Sequence, residues 1–215
     1  MSYKENIEFR RIKKYYTKEA ILLFFLMLGF LSVWAQNGDY TDFYRQSLKT
    51  NNTGMYVLGS WAIANMATGA FGWANNTGST KYFYQMNLFW NVINGTIAGF
   101  ALYNNYTQDL SMISQDTMLQ NHINTEKLFL INGGLDIAYI GTGFLLKHLS
   151  NNSSKRPELL KGYGNSLILQ GAFLFVFDMV MWGIQRMHRL TFLENTELSF
   201  SISKEFTQLT AVLHF

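Results

Sequence analysis

Residues 82–103 read YFYQMNLFWNVINGTIAGFALY, and this stretch decides the fold. At 1.5 Å per residue, a helix of this length crosses the ~30 Å hydrocarbon core of a bilayer. It carries no charge, but four amides interrupt its apolar run: Gln85, Asn87, Asn91 and Asn94. Because lipid cannot hydrogen-bond an amide, the stretch predicts a transmembrane helix that buries its polar face against partner helices.

The composition of the whole chain agrees with a membrane protein. Of its 215 residues 48% are hydrophobic and only 14% are charged, about half the charge density of a soluble domain. The positive charge is concentrated in the first 18 residues, so the net charge of +3 does not indicate a nucleic-acid partner. The absence of cysteine excludes disulfides, thiolate metal sites and thiol catalysis.

The N-terminus has the pattern of a secretory signal peptide. A basic segment precedes the apolar run AILLFFLMLGFLSVW, residues 20–34, which Ala35 follows. We predict a signal peptide over residues 1–35, cleaved after Ala35. The alternative is an uncleaved anchor, although 15 apolar residues are fewer than the usual ~20 of a spanning helix. Both interpretations place residue 36 outside the cytoplasm.

Three further apolar stretches resemble the first. Together they predict transmembrane helices at residues 55–74, 82–103, 128–149 and 163–187. Short connections predict antiparallel neighbours. The predicted fold is therefore an all-α membrane protein, a four-helix antiparallel transmembrane bundle made of two helical hairpins, over residues 36–189. The connections 36–54 and 104–126 are predicted to lie at the outer surface.

Lysine and arginine set the predicted orientation. With the basic leader inside, Lys81 and the basic loop 147–161 also lie on the cytoplasmic side, as the positive-inside rule requires. The prediction is a multi-pass protein of the bacterial inner membrane whose mature N- and C-termini are both periplasmic.

The C-terminal tail, residues 190–215, changes its pattern. Leu198, Phe200 and Ile202 alternate with polar residues, which is the spacing of a strand. We predict a short β-like periplasmic tail, because one or two strands cannot close a membrane barrel.

The polar residues inside the helices form the candidate site. Each predicted helix places one amide or acid about eight to ten residues from its outer end, near the middle of the bilayer. With Asn91, which shares a helical face with Asn94, they predict an intramembrane binding layer of Asn65, Asn91, Asn94, Asp136 and Asp178.

Two interpretations of this layer stay open. Amides at such positions hold helices together. An aspartate in mid-membrane is costly and by default marks a functional site. The hypothesis is that Asp136 and Asp178 approach each other or share a water-filled cavity, with at least one protonated through desolvation and mutual repulsion.

Several chemistries lack their residues. The four histidines, His122, His148, His188 and His214, are predicted in loops, at helix ends or in the tail, so no metal or haem site is expected. No nucleophile with a matching base is visible, so neither a catalytic residue nor a cofactor is predicted.

Three segments carry a resemblance to a known family. GSWAIANMATGAFGWA, KYFYQMNLFWNVINGTIAGFALYNNY and GYGNSLILQGAFLFVFD resemble an uncharacterised family of predicted four-helix membrane proteins from Bacteroidota, over residues 40–190. The resemblance implies an architecture and an origin but no activity.

Two functions follow. The first is a non-enzymatic accessory protein, whose partners are the lipid bilayer and itself or other membrane proteins, bound through its glycine- and alanine-rich helix faces. The second is a small proton- or cation-coupled transporter, or a ligand-binding membrane protein, that uses the Asp/Asn layer.

Overall fold

A computed structural model describes residues 39–212, with side chains over residues 39–196. The predicted signal peptide lies outside the described residues. Four helices follow one another: α1 (Tyr40–Asn75), α2 (Gly78–Thr107), α3 (Gln115–Asn152) and α4 (Pro157–Val212). A single 3-10 turn, Leu110–Met112, lies between α2 and α3. Residues 39–212 contain no strand, so the predicted all-α class is confirmed for them.

The helices pack as two close pairs, α1 with α2 and α3 with α4. The second pair joins the first mainly where α4 packs on α2, whereas α2 and α3 make almost no direct contact. Gly78 allows the tight connection between α1 and α2, because it starts α2 with a φ of 60°, which favours glycine.

The helices are longer than predicted. α1 begins at Tyr40, within the predicted connection 36–54, and α3 begins at Gln115, within the predicted connection 104–126. Their lengths of 36 and 38 residues correspond to roughly 55 Å, well beyond the ~30 Å of a bilayer core. The outer ends of the helices therefore form a helical layer of their own.

The predicted β-like tail is wrong, because α4 continues as a helix to Val212. A helix that already exists grows one residue at a time without a new nucleation cost, so it overrides a weak local alternation. Phe192 also anchors this segment, since it is buried in an apolar cluster with Phe43, Tyr44 and Met118 at the outer ends of α1 and α3.

The bundle is apolar outside and mixed inside. Large apolar side chains are exposed on all four helices, for example Ile63, Phe100, Phe144 and Val176. Buried polar or charged residues are as numerous as buried hydrophobic ones among the described side chains. By length and hydropathy, two helices are able to cross a membrane: α3 and residues Pro157–Thr196 of α4.

Glycine brings α3 and α4 into backbone contact. A Cβ atom at Gly143 would lie 2.7 Å from the carbonyl oxygen of Gly164 and 3.0 Å from the backbone nitrogen of Ile168. Gly141, two residues away, has open space around its Cβ position. Gly143 is therefore a position of close helix approach and Gly141 is not.

We expect Gly143→Ala to destabilise the bundle by roughly 1–3 kcal/mol, because the two helix backbones must separate to admit the methyl group. Gly141→Ala is the matched control and should be neutral or slightly stabilising, since alanine is the better helix former. Thermal unfolding in detergent micelles measures both. Equal midpoints for the two variants would contradict the backbone contact.

Candidate functional site

The buried polar side chains lie at three levels along α4. Gln170, Asp178 and Gln185 are all buried, and they follow one another at intervals of about 12 Å and 10 Å along the helix axis. We call these the amide level, the acid level and the outer level. Each joins α4 to different neighbours.

The amide level is closed by its own hydrogen bonds. Gln170 Nε2 donates to Asn87 Oδ1 at 3.1 Å and to Asn65 Oδ1 at 3.4 Å. Trp61 Nε1 donates to Gln170 Oε1 at 3.0 Å, and the Ser166 hydroxyl donates to Asn87 Oδ1. Amides matched in this way hold α1, α2 and α4 together. Asn65 therefore belongs to this level and lies apart from the acids with which the sequence had grouped it.

Asn91 and Asn94 connect the amide level to the acid level. Asn91 Nδ2 donates to the carbonyl oxygen of Asn87 at 2.8 Å, and Asn94 Nδ2 donates to Asn91 Oδ1 at 3.4 Å. Among the described contacts, neither amide donates to a carboxyl group. Both are buried, and both donate to groups of α2 itself rather than to the acids on α3 and α4.

The acid level is a pair of carboxyl groups. Asp136 on α3 is 2% exposed, Asp178 on α4 is 5% exposed, and the two acids line the same cavity. None of the ion pairs among the described residues includes either acid. Two carboxyl groups attract each other only when a proton lies between them, so the pair is built to hold a proton.

A cavity of about 380 Å³ reaches both acids. It lies between α2 and α3, whose backbones do not approach each other closely. Asn94 and Asn132 add neutral polar groups to its wall, and the remaining lining is largely apolar and aromatic. Ile93, Ile97 and Leu135 line it and are each about half exposed, so the cavity opens on the apolar outer surface.

Two buried polar atoms of the described side chains have no hydrogen-bond partner, and both belong to this cavity. They are Oδ2 of Asp136 and Nε1 of Trp90. The Trp90 ring packs edge-on against Tyr139, with ring centroids 4.8 Å apart. Leaving a buried polar group unpaired costs about 1–3 kcal/mol, so a molecule that reached these two enclosed atoms would find one acceptor and one donor.

The outer level centres on a fully buried histidine. His122 Nδ1 lies 2.7 Å from Ser47 Oγ, and His122 Nε2 lies 3.0 Å from the carbonyl oxygen of Gln185. A carbonyl only accepts, so Nε2 carries the proton, and in the neutral ring Nδ1 accepts from the hydroxyl of Ser47, for which Gln185 Oε1 at 3.2 Å is the competing acceptor. Burial disfavours the charged ring and lowers the pKa of His122 to about 4.

An ion pair completes the outer level. Arg189 donates to Glu126 through Nε at 2.8 Å and through Nη2 at 3.1 Å, and Arg186 lies 3.5 Å from the same carboxylate. Burial opposes the charge on Glu126, but these hydrogen bonds and positive charges outweigh it and lower its pKa. Burial also lowers the pKa of His188, which donates through Nε2 to the carbonyl oxygen of Phe43.

The sequence interpretation missed this level because it placed His122 and Glu126 in a loop. The spacing of the buried residues along α3 indicates that His122 and Glu126 are buried helical residues. Counted back from Asp136, the buried positions Gly133, Phe129, Glu126 and His122 recur every three or four residues, which is one continuous helical face. Within residues 39–212, no group of three or more histidines and acids is arranged to hold a metal ion.

We expect acid to weaken the bundle through His122. Its folded pKa lies below the ordinary 6.5, so the unfolded chain binds the proton more tightly, and stability is lost as the pH falls from 6.5 towards 4. Between pH 7.5 and 5.0 this amounts to about 2 kcal/mol of the unfolding free energy. Denaturant titration in detergent micelles at both pH values measures it.

His122→Gln keeps a donor and an acceptor without titrating, so it should lose much less stability than wild type over that interval. The control is His148→Gln at an exposed position, which should keep the wild-type loss. An unchanged pH dependence in His122→Gln would show that this ring is not the group responsible.

Residues 57–179 match the model of a family of unknown function, DUF6992. No curated protein and no solved structure matches the chain. The matched stretch runs from α1 to the residue after Asp178, and it includes every member of the predicted polar layer. The resemblance of the sequence to an uncharacterised family had led us to expect such a match. Because the matched stretch covers more than half of the chain, the chain belongs to this family of unknown function.

Proposed function

We propose that this protein spans the bacterial inner membrane four times and binds a small ligand at the acid pair, in exchange with the proton of that pair. The single observation that carries the proposal is the cavity, whose largely aromatic and apolar wall includes Asp136 and Trp90, the two described residues with an unpaired buried polar atom.

The distribution of apolar side chains supports four spans. α1 and α2 fall short of a membrane helix by mean hydropathy, in part because amides and glycines line their inner faces: Asn65, Gly69 and Gly72 on α1, and Asn87, Asn91 and Asn94 on α2. Their outer faces carry exposed Ile63 and Phe71 on α1, and Ile97 and Phe100 on α2. A surface of this kind is stable against lipid and unfavourable in water, whereas the amides behind it need the protein interior.

Charge supports the proposed orientation. Lys81 lies near the start of α2, and Lys155, Arg156 and Lys161 lie at the junction of α3 and α4, so all of them belong to the same end of the bundle. The opposite end carries the ion pair of Glu126. Arg45, Lys49, Lys127, Arg186 and Arg189 also lie at that opposite end, so the helices alone show no bias and the basic leader decides the orientation. With the leader inside, the positive-inside rule assigns the end with Lys81 to the cytoplasm and the start of α1 to the periplasm.

The alternative, an accessory protein that docks another helix, finds support in a shallow groove between α1 and α2. Gly59, Gly95 and Gly99 line this groove, which is open to the outside. It contains no unpaired buried polar atom among the described side chains, whereas the cavity contains two. We therefore place the function in the cavity.

Dicyclohexylcarbodiimide tests the proposal, because it is a small apolar molecule that reacts with protonated carboxyl groups. The carboxyl O–H adds across one C=N bond, and the adduct rearranges to a stable N-acylurea without a leaving group. In membranes at pH 7.5 we expect one adduct on Asp136 or Asp178, identified by mass spectrometry. Glu126 should not react, because Arg189 keeps its carboxylate ionised.

Two matched variants test access through the cavity. Ile97→Trp narrows the opening and should slow the labelling, whereas Val92→Trp on the α1 side of α2 should leave its rate unchanged. Asp136→Asn with Asp178→Asn should abolish it. Failure of both aspartates to react, or a reaction that Ile97→Trp does not slow, would overturn the proposed site.

A further inference from the structure

We infer that the ligand of the acid pair is a monovalent, lipophilic organic cation, with an ammonium group on an apolar or aromatic body. The inference rests on the proposed function, since it specifies the ligand of the same cavity. It follows from the charge of the site, the nature of its walls and its two unpaired atoms.

The charge of the site calls for one positive charge. Two carboxyl groups that share one proton keep a net charge of −1. No lysine, arginine or histidine in the described part of the chain lines the cavity, and the other titratable group there is Tyr139. Asn94 and Asn132 are neutral, and Glu126 already holds the arginines of the outer level. A monovalent cation neutralises the buried charge, whereas a neutral ligand leaves it and an anion increases it.

The walls favour an organic cation over a metal ion. Trp90, Phe129, Tyr139 and Phe177 line the cavity, and aromatic faces attract ammonium groups, most strongly away from water. A dehydrated metal ion needs a shell of oxygen ligands, but most of the lining is apolar carbon. The volume of about 380 Å³ also far exceeds the space of a single ion.

The unpaired atoms define how such a ligand binds. An ammonium N–H donates to Oδ2 of Asp136, which is buried without a partner. The Nε1–H of Trp90 donates to an oxygen acceptor on the ligand, such as a hydroxyl group. The free pair holds two protons, and one leaves as the cation enters, so the occupied site holds one proton, one cation and no net charge.

Protection against carbodiimide tests the inference. Purified full-length protein in lipid nanodiscs is labelled at pH 7.5 with 2-phenylethylammonium chloride, with 2-phenylethanol or with sodium chloride at the same concentration. The ammonium ion should slow labelling of the acid pair roughly tenfold at ten times its dissociation constant, because labelling requires the empty site. The alcohol, which has the same ring but no charge, and sodium should leave the rate unchanged.

Two variants test the role of the aromatic wall. Trp90→Leu should raise the ammonium concentration for half-protection roughly tenfold, and Trp90→Phe, which keeps a ring, should raise it less. Trp73→Leu, outside the cavity, is the control and should protect like wild type. The labelling rate without ligand shows in each variant that the site is intact.

The outcomes separate the inference from the proposed function. Equal protection by the alcohol would make the ligand neutral, protection by sodium would indicate a metal site, and protection by none of the three would exclude this class. Each of these results overturns the inference while the labelling itself still supports the cavity. Absence of labelling without ligand overturns the proposed function.

Discussion

The constraint on which the structure depends is that polar side chains buried in an apolar-faced bundle must find their partners inside it. The apolar surface around them supplies neither donors nor acceptors, so the polar groups of each level along α4 must pair within that level. The amide level does so through Gln170, and the outer level through the ion pair of Glu126 and Arg189. At the acid level the carboxyl groups have only each other, and Asp136 Oδ2 has no partner. The incomplete level is therefore the one in which we propose that a ligand binds.

Glycine contacts and side-chain direction explain why the acids meet beside a cavity. A Cβ atom at Gly171 would lie 3.1 Å from the backbone oxygen of Asp136, so α4 approaches α3 closely at this point. Helical side chains lean towards the N-terminus of their own helix. Because α3 and α4 are antiparallel, Asp136 and Asp178 lean towards each other across this contact. α2 packs as closely on α1 at Gly69 and Gly72, which leaves a gap between α2 and α3.

The sequence predicted the helices and the buried positions of Asp136 and Asp178. It did not predict how the polar residues are distributed among the amide, acid and outer levels. Helical periodicity and amides in apolar runs suffice for α2 and for the carboxyl groups of Asp136 and Asp178. Counting depth from assumed helix ends put Asn65 with the acids, because all four helices continue beyond the apolar stretches that define those ends. His122 was missed for the same reason, since polar residues in an outer layer look like a loop. Packing between helices decides which level Asn65 joins and whether His122 is buried. The pattern of a single sequence does not show that packing.

Glu126 and Asp136 show how one helix face produces two opposite electrostatic results. Both acids are buried on the same face of α3, about 15 Å apart along its axis. Glu126 faces the stretch of α4 that carries Arg186 and Arg189, which keep it ionised and leave no room for another partner. Asp136 faces Asp178 instead. Its neighbour is therefore a second acid, whereas the neighbours of Glu126 are arginines. Since the same bundle satisfies one carboxylate completely with its own arginine, the lack of a cation at Asp136 is a property of that level, which needs a proton or a bound cation to be neutral.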